Sequence, residues 1–120
     1  MSRTKDAGDR GEAAAARYLL DRGCEVLDRQ WRCRYGELDL VARTKEGVLC
    51  LVEVKLRSSR SAALPREFVD ARKQERLRKT AMAYLTDRGW EDEPVRFDVA
   101  EVWQDGDGGI RLEYLPAAFE

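Results

Sequence analysis

The run Val48-Leu49-Cys50-Leu51-Val52-Glu53-Val54-Lys55-Leu56 constrains this chain more than any other stretch. A continuous apolar run of this length, rich in β-branched residues, predicts a buried central strand. Side chains alternate along a strand, so Val48, Cys50, Val52, Val54 and Leu56 share one wholly apolar face. The opposite face carries Leu49, Leu51, Glu53 and Lys55. A carboxylate and an amine therefore point the same way out of a strand that otherwise reads as core. Burying charge is costly unless it is paired or bound to an ion. For a lone Glu-x-Lys, an ion pair at a strand end is explanation enough; the neighbouring segments point further.

The preceding strand is Glu37 to Arg43, and the turn-like Thr44-Lys45-Glu46-Gly47 joins the two as an antiparallel hairpin. Its even positions Leu38, Leu40 and Ala42 are apolar, which matches the even apolar face of the next strand. A slip of one residue would drive Asp39 into that face. The pairing that sets Val41 across from Leu51 also sets Asp39 across from Glu53, and Glu37 across from Lys55. Directly opposed Cβ atoms lie roughly 5 Å apart. Two carboxylates at that distance repel unless one holds a proton or a cation lies between them.

Gly8 to Asp21 reads as a helix stopped by Gly23, with its apolar stripe on Ala15 (or Ala16) and Leu19 and with Tyr18 at the flank. Gly11 permits close approach to the sheet, and Glu12 falls on the inward edge of the helix start. A first-turn Glu is also what a helix dipole favours. Glu25 to Arg34 alternates as a strand, with Val26, Leu27 and Trp31 as core candidates. The stretch from Trp31 through Arg34 and Tyr35 mixes aromatics with cations, a mix that suits both nucleic-acid contact and ordinary core packing. After a basic Ser/Arg/Ala loop over 56–64, which contains Arg57, Pro65 opens a long helix running to about Asp87 and ended by Gly89. Its stripe is Val69, Leu77, Ala81, Tyr84 and Leu85. Lys73 falls on that inward face, either snorkelling past the core edge or reaching a phosphate. The remaining cations of the helix, Arg66, Arg72, Arg76, Arg78 and Lys79, read as a solvated face that could also track a phosphate backbone. Val95 to Trp103 alternates as a strand with Val95, Phe97, Val99 and Val102 inward, and Ile110, Leu112 and Tyr114 mark a final edge strand. The order α-β-β-β-α-β-β predicts an α/β sandwich with a mixed sheet, one domain over residues 1–120 with 1–7 as a flexible lead-in.

Net charge is −1, so the total alone does not suggest nucleic acid, but the distribution is uneven. From Val54 to Arg88 there are ten Lys/Arg against four Asp/Glu; from Gly89 to Glu120 there are two against nine. The middle of the chain can thus build a basic surface. The three cysteines, Cys24, Cys33 and Cys50, are too few and too scattered for a disulfide frame or a cysteine zinc site, which fits a cytoplasmic setting. No apolar run is long enough to span a membrane. There is no histidine, which removes Ser-His and Cys-His nucleophiles, histidine acid–base chemistry and histidine-ligated zinc. Any catalysis falls to carboxylates, lysine, arginine, hydroxyls or a hard metal.

Glu12 on a helix, Asp39 on one strand and Glu53-Val54-Lys55 on the next form an ordered set whose residue types suit one chemistry. Paired carboxylates ligate Mg²⁺ or Mn²⁺, such a metal polarises a phosphodiester, and a lysine on the same face neutralises phosphate charge. At these residues the sequence resembles the YraN family of small bacterial proteins, within the restriction-endonuclease-like PD-(D/E)xK superfamily. The resemblance rests on Gly8…Gly11-Glu12…Ala15…Tyr18-Leu19, Trp31-Arg32, Gly36-Glu37-Leu38-Asp39-Leu40-Val41-Ala42 and Val52-Glu53-Val54-Lys55. It continues through Lys73…Arg76-Leu77…Ala81…Tyr84-Leu85 and Arg96-Phe97-Asp98-Val99. The layout is also similar to archaeal Holliday-junction resolvases. Departures occur at Gln30, where the family commonly has Asn, and at Leu56, where it commonly has Thr.

The resemblance implies a restriction-endonuclease-like fold and a metal-dependent nuclease, or a nuclease-like protein, acting on DNA or structured nucleic acid. By it Asp39 and Glu53 would hold Mg²⁺ (or Mn²⁺), Glu12 would be an accessory ligand and Lys55 catalytic. Glu37 is a secondary candidate, and Lys73, Arg57 and Arg34 are candidates for nucleic-acid contact. Resolvase-like cutting of two strands would want a homodimer. The alternative is a module that binds nucleic acid, or scaffolds other proteins, without turnover.

Overall fold

The computed structural model describes residues 3–58 and 70–119, with side chains described over 8–57 and 70–119. The elements are α1 (Arg3–Asp21), β1 (Glu25–Cys33), β2 (Gly36–Arg43), β3 (Leu49–Ser58), α2 (Ala71–Arg88), β4 (Val95–Gln104) and β5 (Ile110–Phe119). This is the expected α-β-β-β-α-β-β order, in a mixed sheet. The strands lie side by side in chain order. All neighbours are antiparallel except β3 and β4, which run parallel because α2 carries the chain back along the sheet between them.

The two helices take opposite faces. On one, Ala15, Ala16 and Leu19 of α1 pack on Leu40, Ala42, Cys50, Val52 and Ala100. Gly11 makes the close approach possible: a Cβ there would lie 3.4 Å from Leu56 Cδ1 and 3.7 Å from Val102. On the other face, Leu77, Ala81, Tyr84 and Leu85 of α2 pack on Leu38, Val41, Leu49 and Leu51. The central strand β3 is therefore apolar on both sides because a helix covers each. Among the described residues no helix is long and apolar enough to cross a membrane, and Cys24, Cys33 and Cys50 are free thiols, Cys50 fully buried.

Several boundaries and faces differ from the sequence expectation, each for a physical reason. Helix α1 begins at Arg3 rather than Gly8. Helix α2 begins at Ala71, where the Asp70 carboxylate caps the chain by accepting from the Lys73 N–H at 2.9 Å. Pro65, Arg66 and Val69 lie outside the described residues. Strand β4 is buried on both faces, with α1 lying against Ala100 and Val102 on one of them, so Asp98, Ala100 and Glu101 are as buried as Val99 and Val102.

The most consequential difference lies in the hairpin. The β2–β3 ladder runs from Arg43↔Leu49 through Val41↔Leu51, as expected, but ends at Leu40↔Val52. Glu37 is consequently not set across from Lys55; it pairs with Arg32 of β1 and forms an ion pair with it. Leu38 does not share the face of Leu40 and Ala42 but joins Val41 under α2. The β1–β2 register passes from Arg29↔Leu40 to Trp31↔Leu38, skipping Gln30 and Asp39. Gln30 takes a left-handed backbone there, with φ of 52°. That region tolerates Asn better than most non-glycine residues, so Gln30 holds a backbone that an Asn would adopt more readily.

Candidate functional site

Where β2 parts from β3, a cleft of about 400 Å³ opens on the α2 side of the sheet. Its floor is Asp39, Glu53, Val54 and Lys55, one wall is the β1–β2 turn at Tyr35 to Glu37, and the other is α2 through Lys73, Arg76, Leu77 and Thr80. Of the residues singled out in the sequence, this one cleft gathers Asp39, Glu53, Lys55, Lys73 and Glu37.

The Asp39 carboxylate stands in for the missing strand partner: it accepts the Val54 N–H at 2.8 Å. Its carboxyl also lies beside that of Glu53, a proximity that disfavours two full negative charges. Burial and then the adjoining Glu53 push the Asp39 pKa up to about 9. Glu53 is 8% exposed, and its Oε2 is 2.5 Å from the Lys73 ammonium. Burial first, and then the neighbouring Lys73, bring the Lys55 amine down to about 8. For Lys73, burial works against charge but the bonds to Glu53 and Lys55 outweigh it, so its pKa lies above the ordinary lysine value. The four groups form two like-charged pairs, carboxyl beside carboxyl and amine beside amine, joined through the Glu53–Lys73 contact. Perturbed titratable groups gathered in one cleft are a recurring feature of functional sites.

Glu12 does not enter this cleft. It lines a second cleft of about 280 Å³ on the α1 side, with Asp9, Gln30, Arg32, Glu37 and Asp39. Gln30 Nε2 donates to Glu12 at 3.2 Å and reaches Asp9 at 3.4 Å, spanning the gap left by the skipped pair. Burial, with a smaller contribution from Glu37, raises the Glu12 pKa. Asp39 and Glu37 line both clefts and so stand between Glu12 and Glu53. Among the described residues no three or more carboxylate or thiol side chains are gathered closely enough to hold a metal together. Asp39 and Glu53 are the pair whose donors suit a hard cation, which Mg²⁺ takes through one or two carboxylates with water completing its shell.

The two arginines proposed for nucleic-acid contact lie apart from this floor. Arg34 sits on the turn with its guanidinium 4.8 Å from the Tyr35 ring centre, and donates to the Tyr35 hydroxyl at 2.6 Å. Arg57 is drawn in against Glu101, 3.7 Å away, with its side chain only 15% exposed. Sequence reasoning missed Tyr35 and Arg76 as cleft residues. Arg76 follows Lys73 by three positions and so shares its helical side, a spacing that could have been read. It also missed Asp98, which is fully buried and accepts from Arg96 Nε at 3.0 Å, the Tyr114 hydroxyl at 2.5 Å and the Ala117 N–H at 2.9 Å. That carboxylate ties β5 to β4 and lies on the face of the sheet away from the cleft.

Fold and cleft together define a small mixed-sheet α/β protein with a recessed carboxylate–lysine site beside the central strand. The chain belongs to the uncharacterised protein family UPF0102, the YraN family, whose model matches residues 11–102. It is 47% identical over 113 residues to a UPF0102 protein of Moorella thermoacetica, covering 93% of each chain. It is 44% identical over 118 residues to one of Frankia casuarinae, covering 98% of this chain and 99% of that one. Among solved structures it is similar to Pyrococcus furiosus SfsA in complex with Ca²⁺, at a TM-score of 0.42 and 15% identity, over 98% of this chain and 65% of that one.

Proposed function

We propose that this protein is a metal-dependent nuclease, hydrolysing phosphodiester bonds in DNA or structured nucleic acid. The observation that carries the reading is the recessed floor, where the Asp39 and Glu53 carboxyls lie side by side with Lys55 and Lys73 next to them. Two buried carboxyls forced together are unfavourable on their own and favourable around a cation. In this reading Asp39 and Glu53 hold Mg²⁺ or Mn²⁺. The metal supplies Lewis-acid polarisation of the phosphodiester and charge neutralisation when bound. Lys55, half-buried and low in pKa, sits where it can exchange a proton with an attacking water. Lys73 balances Glu53 until phosphate arrives to take its charge. Glu37, at the edge of both clefts, and Glu12, reached through Gln30, support the Asp39 side.

The test is calorimetric titration of Mn²⁺ into wild type and Asp39→Ala. Saturable binding by wild type and its loss in the variant support the site; equal or absent binding in both removes it. Cleavage of duplex, flap, junction and single-stranded substrates with Mg²⁺ and Mn²⁺, with Lys55→Ala as control, then reads turnover. One observation favours a second reading, a nucleic-acid-binding module without turnover: the described residues assemble no group of three side chains able to hold a metal, and an ammonium already neutralises Glu53. That reading predicts salt-dependent binding unaffected by Lys55→Ala, and no cleavage at any metal concentration.

A further inference from the structure

The shape of the cleft says more about the substrate than its floor does. The turn wall and the helix wall come close at one point: a Cβ on Gly36, whose φ is 154°, would stand 3.1 Å from Thr80 Oγ1. The floor is thus recessed between two described walls that nearly touch at this point. The cleft volume of about 400 Å³ is near the small end of the ~300–1,000 Å³ typical of clefts that take a single small ligand. At the mouth stands Tyr35, 38% exposed. The Arg34 guanidinium lies close to the ring and bonds its hydroxyl, which fixes the ring while leaving aromatic surface open to solvent. Across from it, Arg76 of α2 has no ion-pair partner among the described residues.

We infer that this pocket takes one unpaired nucleotide, with its base stacked on Tyr35 and a phosphate held by Arg76, so that the substrate is a single strand, a frayed end or an unpaired flap. The inference rests on the nuclease reading of the same floor and narrows its substrate class. A continuous duplex presents its phosphates on a broad rigid cylinder, which fits poorly over a floor recessed between two close walls. An unpaired nucleotide can turn its base onto an aromatic face and send its phosphate inward. Stacking of this kind is tolerant of sequence because every base has a π-face, and a nearby cation tracks the backbone.

The experiment measures binding, not turnover. A fluorescein-labelled mixed-sequence DNA 20-mer is titrated by anisotropy in EDTA as a single strand, as its blunt duplex, and as the matching RNA single strand. The expected result is at least about tenfold tighter binding of a single strand than of the duplex, the tighter of the two strands naming the sugar. Tyr35→Ala loses about tenfold on the single strand and little on the duplex, whereas Tyr35→Trp keeps wild-type affinity. Arg76→Ala weakens single-strand binding and lowers its salt slope by about one. Duplex binding equal to or tighter than both single strands, no binding of any probe, or full affinity in Tyr35→Ala overturns the inference. The binding arms leave the metal titration untouched, so loss of Mn²⁺ uptake sinks the nuclease reading separately.

Discussion

Asp39→Asn separates a functional carboxyl from a structural one most directly. Asn keeps an oxygen to accept the Val54 N–H, so the 2.8 Å bond that closes the strand gap is retained while the charge problem is removed. The Asp39 pKa is raised from 3.8 to about 9 in the folded protein, so the native state holds a proton that the unfolded chain releases. Stability from this group is therefore fully present below about pH 4 and is lost progressively as pH rises toward about 9. Taken alone, a shift from 3.8 would cost about 4 kcal/mol at pH 7, at about 1.4 kcal/mol per pH unit. Coupling to Glu53, the nearby Lys73 ammonium and solvent access from the cleft reduce this, leaving ~1–3 kcal/mol. For a domain of this size that is a rise in Tm of about 4–12 °C in the variant at pH 7. Thermal melts by circular dichroism in EDTA, from about pH 4 to about pH 9, should show the two proteins converging at the acid end and diverging upward. Added Mn²⁺ should raise the wild-type Tm and leave the variant unmoved. A variant less stable than wild type at pH 8, or a difference that does not change with pH, would refute the reasoning.

Three further outcomes follow from neighbouring contacts. Lys73→Met removes the amine that helps hold Lys55 near 8, so the Lys55 titration, followed by NMR of ¹³C-methylated lysines, should move up toward the ordinary lysine value; an unchanged midpoint would show that burial alone sets it. Asp98→Ala strips Arg96, the Tyr114 hydroxyl and the Ala117 N–H of a fully buried acceptor, and should cost ~3–5 kcal/mol in urea unfolding. A loss below about 1 kcal/mol would mean that water replaces the carboxylate without penalty. Gly89→Ala places a Cβ on the left-handed residue that ends α2, with φ of 71°, and should cost ~1 kcal/mol by the same measurement while leaving Mn²⁺ binding intact.

Much of the site was legible because its residues break a pattern that is otherwise strict. Glu53 and Lys55 stand on a face shared with Leu49 and Leu51, and Lys73 interrupts the apolar stripe of α2; each is a charge at a core-facing position. What the pattern could not show is where that face stops being core. Asp98 and Glu101 were hidden for the complementary reason. Alternation along β4 assigns one side outward, but a strand between two neighbours and beneath covering elements has no outward side. The same limit misplaced Arg57, whose basic surroundings suggested an open loop although its partner Glu101 is fully buried.

The strand divergence explains why a site exists here at all. Had the β2–β3 ladder continued past Leu40↔Val52, Val54 would lie across from Leu38 and give its N–H to the backbone. The Asp39 side chain takes that N–H instead, Leu38 turns to the α2 core, and Gln30 absorbs the change in β1 through its left-handed backbone. One carboxylate thus does the work of a strand partner and of a cleft floor at the same time. It follows that the hairpin end and the site are one structural unit. An apolar residue at position 39 would remove the acceptor for the Val54 N–H as well as the charge, and the loss of one would be mistaken for the loss of the other. Asn, which separates them, is the substitution by which the chemistry can be judged.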